Sequence, residues 1–155
     1  MKTQSGFTLI ELVAVLVLVA VLAVAVLPRM EGALALRGDA WRDQVVATLR
    51  QAQSMAVGHR RLVCVAVGSN TVSISVATSH PASGCVSAVP GPDGSASWAR
   101  DASAPATALS PAGGLFFQPS GRVTSDGAGL LATPGRITIS GRADVQVVAE
   151  TGHVQ

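Results

Sequence analysis

The architecture is decided near the N-terminus by residues 6–27, which read GFTLIELVAVLVLVAVLAVAVL. Residues 12–27 are an unbroken run of 16 apolar side chains, and counting from Phe7 gives 21 residues interrupted only by Thr8 and Glu11. About 20 apolar residues in an α-helix cross the roughly 30 Å hydrocarbon core of a bilayer, so this stretch predicts a membrane-spanning helix. Such a composition argues against a purely cytosolic protein.

The overall composition argues against several classes of function. Of the 155 residues, 11 are basic and nine are acidic, a balance too even for a typical nucleic-acid-binding protein. Aromatic residues make up 3% of the chain, too few for the stacking surface of a single-strand binder. We find no nucleophile with a neighbouring base and acid, and expect no catalysis. His59, His80 and His153 are far apart, so we expect no metal or other cofactor.

Beyond Pro28 the apolar residues follow a helical period. We predict one helix from Phe7 to Val57, ended by Gly58 and bent near Pro28, because an internal proline removes a backbone hydrogen bond. One face of its second part is apolar and the opposite face is charged. The apolar positions are Leu34, Trp41, Val45, Leu49, Ala52 and Met55, and the charged ones are Arg37, Asp39, Arg42, Asp43 and Arg50.

From Arg61 onward the pattern changes to that of short strands. Residues 62–67 and 71–76 flank Gly-Ser-Asn, which is typical of a β-hairpin. Residues 77–114 are rich in Ser, Pro, Gly and Ala and are predicted to form a long loop, with Trp98 as its large apolar anchor. Shorter strands are predicted at 115–117, around Val123, at 136–140 and at 144–149. The sequence therefore predicts a mostly β head.

The two cysteines, Cys64 and Cys85, both follow the apolar segment. If that segment carries the rest of the chain out of the cytoplasm, the cysteines lie where disulfides persist, and we expect them to be bridged. The alternative is two buried thiols.

Three interpretations of the N-terminus compete. A secretory signal peptide fits the early Lys2 and the small residues 23–25, but not an acidic Glu11 at the edge of the apolar core. A plain membrane anchor explains the length but leaves the Glu11 carboxylate unpaired in hydrocarbon, at a cost of roughly 2.5–3.5 kcal/mol. The third interpretation accounts for that carboxylate.

The order Gly6-Phe7-Thr8-Leu9-Ile10-Glu11 before an apolar helix resembles the type IV prepilin motif, which type IV pilins share with the pseudopilins of type II secretion. The resemblance implies that a prepilin peptidase cleaves after Gly6 and that the new terminus at Phe7 is N-methylated. It also implies that Glu11 pairs with the Phe7 amine of a neighbouring subunit during assembly, which neutralises two costly buried charges. Pro28 matches the position where the family helix often bends.

The rest of the chain is similar to the GspH/FimT group of minor pseudopilins and minor pilins. The resemblance rests on the long helix, the early hairpin, the turn Phe117-Gln-Pro-Ser-Gly121 and a closing hairpin that ends near Gly152. It implies an α+β fold, in which a long N-terminal transmembrane and amphipathic helix packs on a mostly antiparallel β-sandwich head.

DNA-binding members of this group carry a C-terminal Gly-Arg-x-Arg. This chain instead ends in Gly-His-Val-Gln at 152–155, and the internal stretch 141–144 reads Gly-Arg-Ala-Asp. Nucleic acid is therefore not expected as a partner. If the head did bind DNA, Arg136 and Arg142 would be the candidate contacts. The stretch 127–132, which has the glycine spacing of a dinucleotide fingerprint, is interpreted as a turn because Pro134-Gly135 follows it.

The resemblance leads to one functional hypothesis and one alternative. We expect an H-type minor pseudopilin that joins the pseudopilus for protein export across the outer membrane, or else a minor pilin of a type IV pilus with a DNA-uptake role. The expected organisation is a cleaved leader at 1–6, a transmembrane assembly helix at 7–27, an amphipathic helix at 28–58 and a periplasmic head at 59–155. The expected location is the bacterial inner membrane, spanned once. The expected partners are the prepilin peptidase, other major and minor pseudopilins and the inner-membrane secretion platform.

Overall fold

The computed structural model describes residues 8–155, except for the side chains of residues 24–35. A single α-helix, α1, runs from Leu9 to His59. Packing divides the chain into a first unit that ends at Leu36 and a second unit, Arg37–Gln155, which we call the folded unit. The predicted helix is confirmed over the described residues. The assignment of α1 is continuous through position 28, and the kink at Pro28 stays a prediction because that side chain lies outside the described part.

The face of α1 that packs inside the folded unit is the predicted apolar face. Trp41, Val45, Leu49 and Ala52 are all at most 1% exposed, and Ala56 extends the same stripe by one turn. Met55 is half-buried against this core. Side chains three and four residues apart lie on one side of a helix, so the stripe is continuous along the folded unit. The side chain of Leu34 lies outside the description.

The end of α1 differs from the prediction that Gly58 ends it. Gly58 is helical, the helix ends at His59, and Arg60 adopts a left-handed conformation with φ 52°. The Arg61 N–H donates to the Ala56 carbonyl at 3.2 Å, and the Arg60 N–H donates to the Val57 carbonyl at 3.4 Å. These two bonds form a Schellman motif, in which the left-handed residue is usually glycine. Here an arginine takes that place.

Nine short strands follow the helix and form two antiparallel sheets. They are β1 (Val63–Val67), β2 (Thr71–Val76), β3 (Ser87–Val89), β4 (Ala99–Arg100), β5 (Thr107–Ser110), β6 (Leu115–Phe117), β7 (Val123–Thr124), β8 (Gly135–Ile139) and β9 (Val145–Val147). The first sheet has the order β3-β2-β1-β6-β7, with β4 also paired to β2, and the second has the order β5-β8-β9. The predicted α+β class, a helix packed on antiparallel sheets, is confirmed.

The predicted hairpin is present as β1 and β2. Val63 pairs with Val76 and Val67 with Val72, and the Gly68 N–H donates to the Thr71 carbonyl at 2.8 Å to close the turn. Strand β6 flanks β1 on its other side, with Val63 opposite Phe117. The remaining predicted strands are also present, with ends that differ by at most two residues.

The prediction that residues 77–114 form a long loop is wrong, because this segment contains β3, β4 and β5. Strands β3 and β4 pair with successive parts of β2, and β5 forms an edge of the second sheet. Trp98, which precedes β4, contacts both β2 and β3. Its backbone N–H donates to the Val72 carbonyl on β2, and its indole N–H donates to the Val89 carbonyl on β3 at 3.0 Å. These strands have two to four residues, so pairing with a longer strand, rather than a sequence pattern, determines them.

The core lies where α1 and both sheets meet. Strands β1, β2, β6 and β7 contribute Val63, Val65, Val72, Ile74, Leu115, Phe117 and Val123, and strands β8 and β9 contribute Ile137, Ile139, Val145 and Val147. One buried polar bond connects the helix to the second sheet: the Trp41 indole N–H donates to the Thr107 hydroxyl at 2.9 Å. The core therefore depends on branched aliphatic side chains and very few aromatic ones.

Cys64 and Cys85 form the expected disulfide, with 6.0 Å between their Cα atoms. Cys64 alternates along β1 with the buried Val63 and Val65, so it lies on the face of the first sheet away from the core. The disulfide therefore links the β2–β3 connection, which contains Cys85, to this outer face. A second connection, residues 125–134, packs closely on it, because a Cβ at Gly127 would overlap the Ser83 carbonyl oxygen.

Candidate functional site

Of the predicted processing and assembly residues, Glu11 is the one that the structure describes. Gly6 and Phe7, the predicted cleavage and methylation residues, lie outside the described residues, so the pairing of Glu11 with Phe7 stays a prediction. Glu11 itself is in the first turn and exposed. It contacts Thr8 in both directions: the Glu11 N–H donates to the Thr8 hydroxyl at 3.4 Å, and the Thr8 N–H donates to the Glu11 carboxylate at 3.5 Å.

These two long hydrogen bonds have the arrangement of a capping box. In a capping box, a Thr before the helix and a Glu three residues later satisfy each other's backbone N–H groups. The sequence shows the corresponding pattern, T-x-x-E, at Thr8 and Glu11, but a capping box was not among the predictions above. Glu11 thus has a local structural role besides its predicted role in assembly, and the two roles can be separated experimentally.

The first unit exposes a continuous apolar surface. Between Leu9 and Leu22, large apolar side chains on every side of the helix are 45% to 81% exposed. A helix that is apolar all round is stable only when something apolar surrounds it, either lipid or other helices. Within the described part of the chain, no helix is both long enough and apolar enough to cross a membrane. The predicted span, residues 7–27, extends beyond the described side chains at both ends.

Comparison with known proteins bears on this N-terminal segment. Residues 1–27 match the prokaryotic N-terminal methylation motif. The N-terminal segment of this chain therefore resembles that of a prepilin. A motif of this kind implies processing by a prepilin peptidase and assembly with other pilin-like subunits.

A second similarity is to a solved structure. The crystal structure of the type IV minor pilin FimU of Pseudomonas aeruginosa (strain PAO1) aligns with a TM-score of 0.49 and 17% sequence identity. The alignment covers 76% of this chain and 86% of that one. No curated protein matches the chain.

The two arginines considered as DNA contacts are already paired with acids. Arg136 on β8 lies 3.3 Å from the Asp144 carboxylate, and the Arg142 guanidinium lies 2.8 Å from the Asp39 carboxylate on α1. A guanidinium that is paired with a carboxylate is less available to a phosphate. Residues 152–155 contain no arginine; among them, Val154 is buried, and Gln155 pairs with Gln146 through two backbone hydrogen bonds.

Several weaker sequence signals have structural explanations. Among the side chains that the structure describes, no group of His, Cys, Asp or Glu is arranged to hold a metal. The stretch 127–132 is a turn, as predicted, with Gly129 at φ 73° and no helix after it. Asp93 accepts a hydrogen bond from the Ser95 backbone N–H at 3.0 Å, which lowers the pKa of its carboxyl group. This bond is typical of an Asx turn.

A cleft with a volume of about 520 Å³ lies along the second sheet. Its polar side chains are Ser110, Arg136 and Gln146, which neighbour one another across β5, β8 and β9. Its lining contains no His, Cys, Asp or Glu, so it lacks a side chain suited to act as a general base.

The basic end of α1 is the remaining charged feature. His59, Arg60 and Arg61 are consecutive and exposed. Arg61 is held by the β2–β3 connection, because its guanidinium donates to the carbonyl oxygens of Ala77 and Thr78. Basic residues at the C-terminal end of a helix are usually solvated and interact favourably with the helix dipole. The sequence alone does not reveal the left-handed backbone of Arg60, which depends on where the helix ends.

Proposed function

We propose that the protein is an H-type minor pseudopilin of a type II secretion system. In this proposal it is processed at Gly6-Phe7, anchored once in the bacterial inner membrane with its folded unit in the periplasm, and incorporated into a pseudopilus that exports proteins across the outer membrane. The single observation that carries the proposal is the methylation motif over residues 1–27, with Glu11 at the edge of the apolar run.

Glu11 gives the proposed assembly step its physical basis. Cleavage creates a positive amine at Phe7, and an isolated charge in hydrocarbon costs several kcal/mol by most measures. When a Glu11 carboxylate meets the Phe7 amine of a neighbouring subunit, both charges are neutralised and the register between subunits is fixed. The apolar side chains around Leu9–Leu22 then pack between helices instead of against lipid.

The folded unit is proposed to act through contacts with other subunits and the secretion platform, not as an enzyme. Its cleft along the second sheet lacks a general base, as described above. Its disulfide and its four ion pairs, Arg37–Asp101, Arg122–Glu150, Arg136–Asp144 and Arg142–Asp39, are compatible with a stable surface outside the cytoplasm.

A minor pilin of a type IV pilus is the second candidate. The observation in its favour is that the same methylation motif occurs in type IV pilins and in pseudopilins. A DNA-uptake role within this candidate has less support, because Arg136 and Arg142 both face carboxylates. The genes beside this one distinguish the candidates, because secretion-channel and secretion-ATPase neighbours favour the first and pilus-assembly neighbours the second.

Deletion of the gene followed by complementation tests the proposed function. We expect the deletion to leave exoproteins in the periplasm, and the wild-type chain to restore their export. Glu11→Leu should insert in the membrane but fail to restore export. Thr8→Ala is the matched control, because it removes the capping hydroxyl and keeps the carboxylate, and it should restore export.

Two outcomes would oppose the proposal. Normal export in the deletion strain together with loss of pili would favour the second candidate. Export restored in full by Glu11→Leu would contradict the charge-pairing step, whichever machine the protein serves.

A further inference from the structure

The basic end of α1 has an unusual charge environment. Between Asp43 and Asp93 the sequence has no acidic residue, while it has Arg50, Arg60 and Arg61. The Arg50 guanidinium already has a partner, because it donates a hydrogen bond to the Val154 carbonyl at 3.1 Å. The other two arginines, together with His59, form what we call the basic tip.

The Arg60 guanidinium has no side-chain hydrogen bond or ion pair with the residues that the structure describes. Among the arginines with described side chains, Arg100 is the other one without such a partner. The remaining seven all contact a carboxylate or a carbonyl oxygen. None of the ion pairs found among the described residues involves His59, Arg60 or Arg61. The tip therefore carries uncompensated positive charge.

The backbone at Arg60 adds a second, independent observation. A left-handed conformation costs a residue with a Cβ roughly 1–2 kcal/mol, which glycine avoids. Arg60 adopts φ 52° in a Schellman motif whose geometry would suit glycine. Strained backbone conformations that the surrounding structure holds in place are concentrated at functional sites. Here the left-handed backbone places an exposed arginine just beyond the end of the helix, next to the fixed Arg61.

We infer that the basic tip, His59 to Arg61, is a docking surface for an acidic segment of another protein subunit. Charge complementarity identifies the partner, because guanidinium groups bind carboxylates through paired hydrogen bonds. Nucleic acid fits this surface less well. Trp41 and Phe117 are buried, and Trp98 and Phe116 are half-buried, so the described aromatic side chains offer no exposed stacking platform. The inference does not depend on whether the assembly is a pseudopilus or a pilus.

The test measures binding to the full chain in micelles of a neutral detergent at low ionic strength. The probes are a fluorescent polyglutamate peptide and a fluorescent DNA duplex of equal charge, and the readout is fluorescence anisotropy. Arg60→Gly removes the guanidinium and relieves the backbone, so weaker binding cannot result from unfolding. We expect it to weaken peptide binding about two- to fivefold, the effect of one exposed ion pair.

Two further variants complete the design. Arg60→Lys keeps the charge and should retain most of the peptide affinity. Arg100→Gln removes the other unpartnered arginine and should bind the peptide as the wild type does. Peptide binding that is absent, or equal in the wild type and Arg60→Gly, overturns the inference. Tighter binding of the DNA duplex than of the peptide, lost in Arg60→Gly, also overturns it and assigns the tip to nucleic acid.

Discussion

The bond between Trp41 and Thr107 is the most informative place to perturb the folded unit. It joins the helix to β5, a strand that the sequence did not predict, through a buried donor and acceptor 2.9 Å apart. The Thr107 hydroxyl in turn donates to the Pro105 carbonyl at 2.9 Å. Thr107→Val keeps the shape of the side chain but removes both hydrogen bonds.

The expected magnitude follows from the burial of these groups. Trp41 is 1% exposed, so Thr107→Val leaves its indole N–H without a partner and without water, at a cost of about 1–3 kcal/mol. Trp41→Phe removes the donor and part of the ring, and should cost about 2–4 kcal/mol from the lost bond and the cavity. Because both substitutions remove the same bond, the double variant should lose about 1 kcal/mol less than their sum.

The assay is calorimetric unfolding of the full chain in detergent. For a unit of this size, each kcal/mol should lower Tm by about 4 °C. Thr138→Val is the matched control, because it makes the same chemical change at an exposed position on β8 and should alter stability by less than about 0.5 kcal/mol. If Thr107→Val is as mild as Thr138→Val, or if the two core substitutions are fully additive, the bond does not hold the helix to the second sheet.

Three other substitutions test the packing described above. Gly127→Ala should lower the stability of the folded unit by about 1–3 kcal/mol, because the new methyl group overlaps the Ser83 carbonyl; unchanged Tm would contradict that close approach. Replacing Cys64 and Cys85 by Ser should cost about 3 kcal/mol, since the bridge closes a loop over a sequence separation of 21, and urea unfolding under non-reducing conditions measures it. Arg60→Gly should raise stability by about 0.5–1 kcal/mol, because relief of the left-handed strain exceeds the added freedom of the unfolded chain, and a lower Tm would refute the strain argument.

The parts of the fold that the sequence predicted are those with a periodic signal. The stripe from Trp41 to Ala52 repeats every three or four residues, and β2 alternates over six residues, so both are recognisable without tertiary information. The strand at 115–117 was predicted because three large apolar residues stand between glycine and a proline-containing turn.

The missed elements have tertiary causes. Strand β4 has two residues and β3 has three, which is too short for any periodicity, and both exist because β2 is long enough to pair with them in succession. The end of α1 was predicted two residues early, at Val57, because glycine stops many helices, whereas here the left-handed residue is Arg60. A local rule cannot identify a strained residue that neighbouring contacts hold in place.

In the candidate site, too, some features depend on consecutive residues and others on residues far apart in the sequence. The methylation motif and the capping pattern at Thr8 and Glu11 are local, and both can be read from consecutive residues. The pairing of Arg142 with Asp39 is not local, since it joins a turn after β8 to the helix about a hundred positions earlier. The DNA alternative depended on Arg136 and Arg142, whose carboxylate partners can be identified only from the fold.

Intact-mass analysis of the chain extracted from membranes tests the central claim most directly. A prepilin-type subunit should begin at Phe7 and carry one added methyl group on its terminal amine. A chain that begins at Val26, as a signal peptidase acting after Ala25 would leave it, would contradict the account. A chain that still begins at Met1 in cells with an active prepilin peptidase would contradict it equally.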